Sequence, residues 1–522
     1  MKKIFRGMLG VMASLLLLMA LAGCKKIPSD DAAAKPAENS ANSFRILAGS
    51  ELKDMADLVT AFGKSQNINV SFDYTGTLDA VDRLADKSDF DAVWISHGKY
   101  LQLVPAVKNQ IKSSEKIMYS RVVLGVKPEV VKALGWKSGK TGWDDVVKQS
   151  KAGKFHFAMT NPTGSNTGFV ALAGLAAELS GKGDALEEKD IPTGKLKELF
   201  SGQTMTAGSS GVLAEMFLAN PAKVDGIVNY ESVIRSMAAK GQALDVIIPK
   251  EGVITADYPL MLLTASRQAA FYQKLVEYLR SETIQKQIAA TTFRTPLAGS
   301  GSDEVVNELP FPGSITVVDA ILKGFLDSYS RPATSYFVLD VSGSMQGERI
   351  ASLKQAMLSL TSGDASSSGR FSTFRAREIV KITPFSDESE GTRTFKLDEG
   401  DNTAARKELS DMIQRLEARG GTAIFDAIAS IYPAAQDDLR KGDRSVSIVL
   451  ETDGVNTNGW GLGDFQQFVA SRGEPRVPIF AILYGDANPA EMQGLAASTG
   501  GRVFDAKKVK LSKVMKDIRT YQ

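Results

Sequence analysis

The 522 residues are 43% hydrophobic and 23% charged, which excludes wholesale disorder and collagen-like structure and allows two to four domains at roughly 150 residues each. Lysine and arginine number 62 against 60 acids, and setting Lys2, Lys3 and Arg6 aside in a leader leaves 59 against 60, so no strong field favours nucleic acid. One cysteine and two histidines, His97 and His156, exclude a disulfide framework and a thiolate metal cluster and leave little room for histidine chemistry.

Lys2, Lys3 and Arg6 precede an apolar run over residues 8–21. That run is short for a bilayer span and suits a signal peptide over 1–23. It ends in Leu21-Ala22-Gly23-Cys24, which resembles the bacterial lipobox. The resemblance implies cleavage before Cys24 and lipidation of its thiol, palmitate included, with two or three acyl chains giving a firm membrane anchor. Lys25 and Lys26 follow rather than Asp, so the family sorting rule points to the outer membrane, facing periplasm or surface, in a Gram-negative cell. Otherwise the outer face of the plasma membrane is expected. No later run of ~18 apolar residues follows, so the rest is expected to be exported and water-soluble. Residues 24–42 are rich in Ala, Ser, Asp, Pro and Lys and read as a lipidated, disordered tether.

From Phe44 short strands and helices alternate. Residues 44–48 form a β-rich run, Gly49-Ser50 a turn, and Leu52, Met55, Leu58, Val59 and Phe62 recur at helical spacing. Ile68, Val70 and Phe72 mark a second strand and residues 92–96 a third. Similar units continue at 121–126, 155–159, 226–229 and 244–248, before helical patterns at 268–279 and 282–290. Alternation of this kind predicts an α/β fold with parallel sheets covered by helices on both faces.

Residues 161–168 read Asn-Pro-Thr-Gly-Ser-Asn-Thr-Gly before a helical run, and Ser209-Ser210-Gly211 repeats the theme. Small hydroxyl residues and glycines ahead of a helix expose backbone N–H groups suited to an anion. The region from 43 to 328 resembles the type 2 periplasmic solute-binding proteins, in which two lobes close on a ligand. By that resemblance the cleft is expected at Gly49, Ser50, Thr75, Ser96, Ser165, Asn166, Thr167, Ser209, Ser210, Tyr230 and Glu231. For each residue an ordinary helix cap or turn is the competing reading. Glu231 would repel an anion if it faced the cleft. Gly135 to Thr141 nearly spells a phosphate loop, but three residues separate its glycines where four are needed.

Arg331-Pro332-Ala333 breaks the pattern and places a linker at 329–333. The α/β rhythm then restarts with Tyr336-Phe337-Val338-Leu339, an apolar run suited to a buried central strand. It enters Asp340-Val341-Ser342-Gly343-Ser344, where alternate side chains can converge on one point. A carboxylate with two hydroxyls suits a hard cation such as Mg²⁺ and suits Zn²⁺ poorly. Thr422 follows Gly420-Gly421, and Asp453 follows the second apolar strand at 445–451. In an open parallel sheet such strand-end loops collect ligands. A haloacid-dehalogenase-like phosphatase would need a second acid at 342, where serine stands. The acidic runs 387–390 and 398–401 read as solvated loops.

Asp340, Ser342, Ser344, Thr422 and Asp453 together resemble the metal-ion-dependent adhesion site of the von Willebrand factor A domain, over about residues 334–522. The resemblance implies a doubly wound, Rossmann-like domain, Mg²⁺ or Mn²⁺ at those five residues, and a protein partner whose carboxylate completes the metal's coordination. The loose stretch at 361–370 departs from the family pattern without touching the ligands. The leading expectation is a lipid-anchored, non-enzymatic binding protein outside the cytoplasm, with a solute-binding-like region that takes a small molecule or ion. The alternative is a receptor serving an ABC importer, with the A-type domain as an accessory. No nucleophile–base pair or acid–base dyad argues for catalysis.

Overall fold

The computed structural model describes residues 42–85, 89–297, 307–363 and 366–522. The leader, Cys24 and the tether up to residue 41 lie outside the described residues, as does most of the Gly- and Ser-rich loop near residue 300. Among the described residues no helix is long and apolar enough to cross a membrane.

Three sheets organise the chain. The first runs in the order Asn69–Thr75, Ser43–Gly49, Ala92–Trp94, Pro259–Leu263, Ile111–Lys116. Ser43–Gly49 is buried along its whole length and parallel to both neighbours, as a strand covered on both faces requires. The second sheet runs Ile254–Ala256, Ser120–Val126, Gly226–Tyr230, Phe157–Met159, Gln203–Met205, with Asp245–Ile247 also paired to Ser120–Val126.

Neither lobe has the purely parallel sheet that the alternating pattern predicts. Pro259–Leu263 is antiparallel to both its neighbours, and Ser120–Val126 is antiparallel to all three of its own. The chain leaves the first lobe after Lys116 and returns at Pro259. The returning strand therefore starts at the hinge end, where Ile111–Lys116 finishes, and must run the other way.

The third sheet has the order Arg393–Lys396, Ile379–Phe385, Ala333–Asp340, Ser445–Thr452, Ile479–Leu483, Arg502–Asp505. It is parallel except at the Arg393–Lys396 edge. Alternation along the strands divides the core. Phe337, Leu339, Val449 and Ile482 meet Leu353, Met357, Leu409, Ile413, Val514 and Ile518 on one face. Tyr336, Val338, Ile448 and Leu450 meet Ile424, Ile428, Phe465 and Met492 on the other.

The base of this third domain docks on both lobes. Phe371, from the stretch after helix Glu348–Ser362, joins the hydrophobic core of the solute-binding-like region. Asp82 of the first lobe accepts the backbone N–H groups of Ser367 and Ser368 at 2.5 and 2.8 Å. Arg370 pairs with Asp319 at 2.8 Å. Arg377 donates to the carbonyls of Asp327 and Ser330 at 2.7 and 3.0 Å. At the C-terminus Tyr521 packs against both the second lobe's core and that of the third domain. Arg519, ion-paired to the fully buried Glu378 at 2.7 Å, fixes that end beneath the sheet. The loose stretch noted in the sequence is thus a docking segment.

Candidate metal centre and solute cleft

Ala333–Asp340 and Ser445–Thr452 are buried along almost their whole length, and the apolar stretches 337–339 and 448–450 lead directly into acids and hydroxyls at their carboxyl ends. Leu339 lies opposite Glu451 in the parallel register, so Asp340 and Asp453 emerge side by side. Asp340 accepts from the Ser342 N–H at 2.8 Å and from the Thr452 hydroxyl at 2.6 Å. The Ser342 and Ser344 hydroxyls are 2.9 Å apart, and Ser344 donates to Asp453 at 2.7 Å. The Thr422 loop is tied in by Gly343 N–H to Gly420 O at 2.9 Å and Arg419 N–H to Val341 O at 2.7 Å. A Cβ on Gly454 would lie 3.4 Å from Ser344 Oγ and 3.7 Å from Thr422 Oγ1. The five residues singled out in the sequence therefore face one another across two strand-end loops and the loop between helices Thr403–Gln414 and Ile424–Arg440, where Thr422 lies rather than at the strand end expected from the sequence.

The electrostatics carry a tension that the sequence reading missed. Glu451, 0% exposed, has no hydrogen-bond partner at either carboxyl oxygen. Burial, then the charges of Asp340 and Asp453, push its pKa well above the ordinary carboxylate value. Asp340 is also raised, mainly by burial, although Ser342 and Thr452 work against the shift. Asp453 is ion-paired with Arg349, whose Nη1 lies 2.5 Å from it and which reaches Asp486 at 3.0 Å. Among the described residues no group of three His, Cys, Asp or Glu side chains is placed to hold a metal. The donor set is instead two carboxylates with three hydroxyls, an all-oxygen set that fits a hard cation. Unpaired acid beside that set is consistent with the same fit.

The loop after Asp453 is held firmly. Thr457 N–H donates to Thr422 O at 2.8 Å, and Thr457 Oγ1 accepts from Thr422 N–H at 2.9 Å. Asn456 accepts from Ile424 N–H at 2.8 Å, and Asp426 accepts from Trp460 N–H at 2.6 Å. Asp387, read from the sequence as belonging to a solvated acidic loop, binds Gly421 N–H at 2.9 Å and Asn458 at 2.7 Å. This brace holds Val455 and Trp460 out to solvent, 48% and 38% exposed. They are two of the three exposed large hydrophobic residues among the described residues.

In the solute-binding-like region the expected cleft residues divide. Asn166 Oδ1 accepts from Thr77 Oγ1 at 2.5 Å, and its Nδ2 donates to Glu51 at 3.0 and 3.3 Å. Tyr230 donates to Ser96 at 2.7 Å, and Thr167 lies beside the Tyr230 phenol. Gly49 lies under the Glu51 carboxyl, where a Cβ would come within 2.4 Å of it. Ser50 opens the short helix that carries Glu51. Ser165 precedes helix Asn166–Ser180 and is buried. These residues line the contact between the lobes, which closes until a Cβ on Gly76 would lie 2.4 Å from Gly164 O.

The other four expected cleft residues are bonded within their own lobes instead. Ser209 caps helix Ser210–Ala219 through Val212 N–H at 3.4 Å, and the Ser210 carbonyl accepts from Asn229 at 3.1 Å. Thr75 donates to Asp79 at 2.6 Å in the first turn of helix Thr77–Ala85. Glu231 is paired with Arg121 at 2.8 Å and Arg235 at 2.6 Å. Burial would raise its pKa, but the two guanidinium groups outweigh burial and hold it low. Glu51 and Arg294 were not singled out in the sequence. The acid directly after Gly49-Ser50 was the available signal.

Residues 44–294 match the family model described as bacterial extracellular solute-binding protein, and residues 336–518 match the von Willebrand factor type A domain. The chain joins a bacterial extracellular solute-binding domain to a von Willebrand factor A domain. No curated protein matches it. Similar solved structures include a periplasmic thiamin binding protein at 14% identity, covering 55% of this chain and 96% of that one with a TM-score of 0.44. The ferric binding protein from Campylobacter jejuni is 15% identical over 54% of this chain and 95% of that one, with a TM-score of 0.41. A periplasmic binding protein from Actinobacillus pleuropneumoniae, solved with fructose-6-phosphate, is 15% identical over 56% and 99%, with a TM-score of 0.42.

Proposed function

We propose that the protein is a lipid-anchored binding protein outside the cytoplasm that engages a protein partner through Mg²⁺ or Mn²⁺ on the exposed edge of its A domain. The observation that carries this reading is the opposite placement of two surfaces. Docking to the lobes uses the amino-terminal edge of the third sheet. The five candidate ligands lie at its carboxyl edge, about 26 Å away along an eight-residue strand, on the side left free for a partner. Asp340, Ser342, Ser344, Thr422 and Asp453 would hold the cation. When bound, the cation offers a positive centre to a partner's carboxylate and offsets the buried acids beside it. Val455 and Trp460 supply apolar contact beside the cation site, and an aromatic contributes most where an interface fully desolvates it. Cys24 supplies the anchor, and the extracellular description of the family that the first domain matches supports export.

Thermal melting of the detergent-solubilised full chain tests the metal. Mg²⁺ or Mn²⁺ at 100 times its Kd should add about 2.7 kcal/mol, and a chelator should reverse the gain. Asp340→Ala should lose both the metal response and metal-dependent partner capture. Equal capture by Asp340→Ala in chelator would place recognition elsewhere. Cys24→Ser should fail to incorporate labelled fatty acid, because no other thiol exists in the chain.

A further inference from the structure

We infer that the cleft between the two lobes is filled by the chain's own Glu51 side chain, an internal carboxyl ligand, so that the solute-binding domain serves as a closed scaffold. This concerns the half of the molecule that the metal reading leaves without a role, and it stands independently of that reading.

Glu51 lies in the first turn of the short helix Ser50–Met55, on the first lobe. The residue as a whole is half-buried, yet its carboxyl group is enclosed between the lobes. Asn166 of the second lobe donates to both carboxyl oxygens, at 3.0 and 3.3 Å. Thr77 fixes that amide's orientation from the other side, at 2.5 Å. Asn166 is the first residue of the fifteen-residue helix Asn166–Ser180, so the carboxyl sits at the helix's positive end. Burial dominates at this carboxyl and raises its pKa, while its own backbone, Asn166, the Arg294 charge and Ser96 work against that shift. Arg294 also grips the segment directly, donating to the Glu51 carbonyl at 2.6 Å and to Asp54 at 2.7 Å. The second-lobe Asn166 amide and the charge of Arg294, which holds the Glu51 segment, thus converge on one carboxyl group, the arrangement by which a two-lobed receptor would hold an acidic solute. Here the acid is covalently attached to the chain. A tethered ligand competes at an effective concentration of the order of millimolar or higher, so a free acid must bind more tightly than that to displace it.

The A domain reinforces the closure because it touches both sides. Asp82, on the same helix as Thr77, binds the Ser367 and Ser368 N–H groups. On the second lobe a Cβ at Gly164 would lie 2.4 Å from Thr520 Cγ2, and one at Gly208 would lie 2.4 Å from Thr520 Oγ1. Opening the lobes would pull the Asp82 and Thr520 contacts away from each other and break at least one of them.

The test uses the full chain, with acetate and formate as probes and sodium chloride as the ionic-strength control. The parent should melt at the same temperature with either probe as with chloride. Glu51→Ala should melt several degrees lower, and acetate or formate should restore the loss saturably. Saturable stabilisation of the parent by either probe would overturn the inference, as would a folded Glu51→Ala that ignores both. Asn166→Asp provides a second reading that does not depend on Glu51→Ala folding. It sets two carboxyl groups against each other, and small-angle scattering should report an expanded lobe pair. An unchanged scattering profile and melting temperature in Asn166→Asp would also overturn the inference.

Discussion

The solute cleft and the metal edge use the same architectural place, the loops at the carboxyl ends of parallel strands, and treat it in opposite ways. In the cleft the central carboxyl and hydroxyl are paired within the chain, Glu51 with Asn166 and Ser96 with Tyr230, although the Tyr258 hydroxyl and Arg294 Nε beside them have no partner. At the metal edge Asp340 and Asp453 crowd together, and Glu451 is left without a partner. The first arrangement supplies its own carboxyl to the cleft, whereas the second leaves buried acid that a cation would offset. Family resemblance alone would have ranked both as open binding sites. The internal pairing is what separates them, since a buried polar group costs about 1–3 kcal/mol only when it is left unpaired.

The largest effect should come from breaking the docking that holds the two regions together. Phe371 is 6% exposed within the core of the solute-binding domain. Phe371→Ala should cost about 3 kcal/mol and should free the A domain to unfold separately, giving two transitions in calorimetry where the parent gives one. A single transition would mean that the two regions do not communicate through this residue.

The next test isolates the unpaired acid. The folded pKa of Glu451 is raised by burial and by Asp340 and Asp453. Its contribution is therefore fully present below the unfolded value near 4.5 and is lost as pH rises through the folded value, with a slope of at most about 1.4 kcal/mol per pH unit. In chelator, Glu451→Gln should flatten that loss, and denaturant titrations across pH measure it. An identical pH profile in parent and variant would show that Glu451 is not strained.

The smallest effect distinguishes a helix cap from a ligand. Ser209→Ala should cost roughly 1 kcal/mol of stability, as an N-cap does. It should leave the acetate and formate responses of the Glu51→Ala background unchanged. Loss of those responses would return Ser209 to the cleft.

The amino-acid sequence by itself determined the alternation of strands and helices, the apolar run ending at Asp340, and the DxSxS spacing. Each of these depends on neighbours within a few residues, where backbone geometry alone decides which side chains share a face. It also marked Asn166, Thr167, Tyr230 and Ser96 as polar residues at strand and helix ends. What only the tertiary structure decided was who answers them. Glu51 meets Asn166 across 115 residues of chain, Arg349 meets Asp453 across 104, and Asp82 meets Ser367 across 285. A hydroxyl, amide or carboxyl at a strand end can be satisfied by solvent, by a solute or by a distant segment of the same chain. Local propensity is the same in all three cases. The choice is made by which loops the packed sheets bring within 3 Å, and the hydrogen-bonding energy that enforces it acts only at that range.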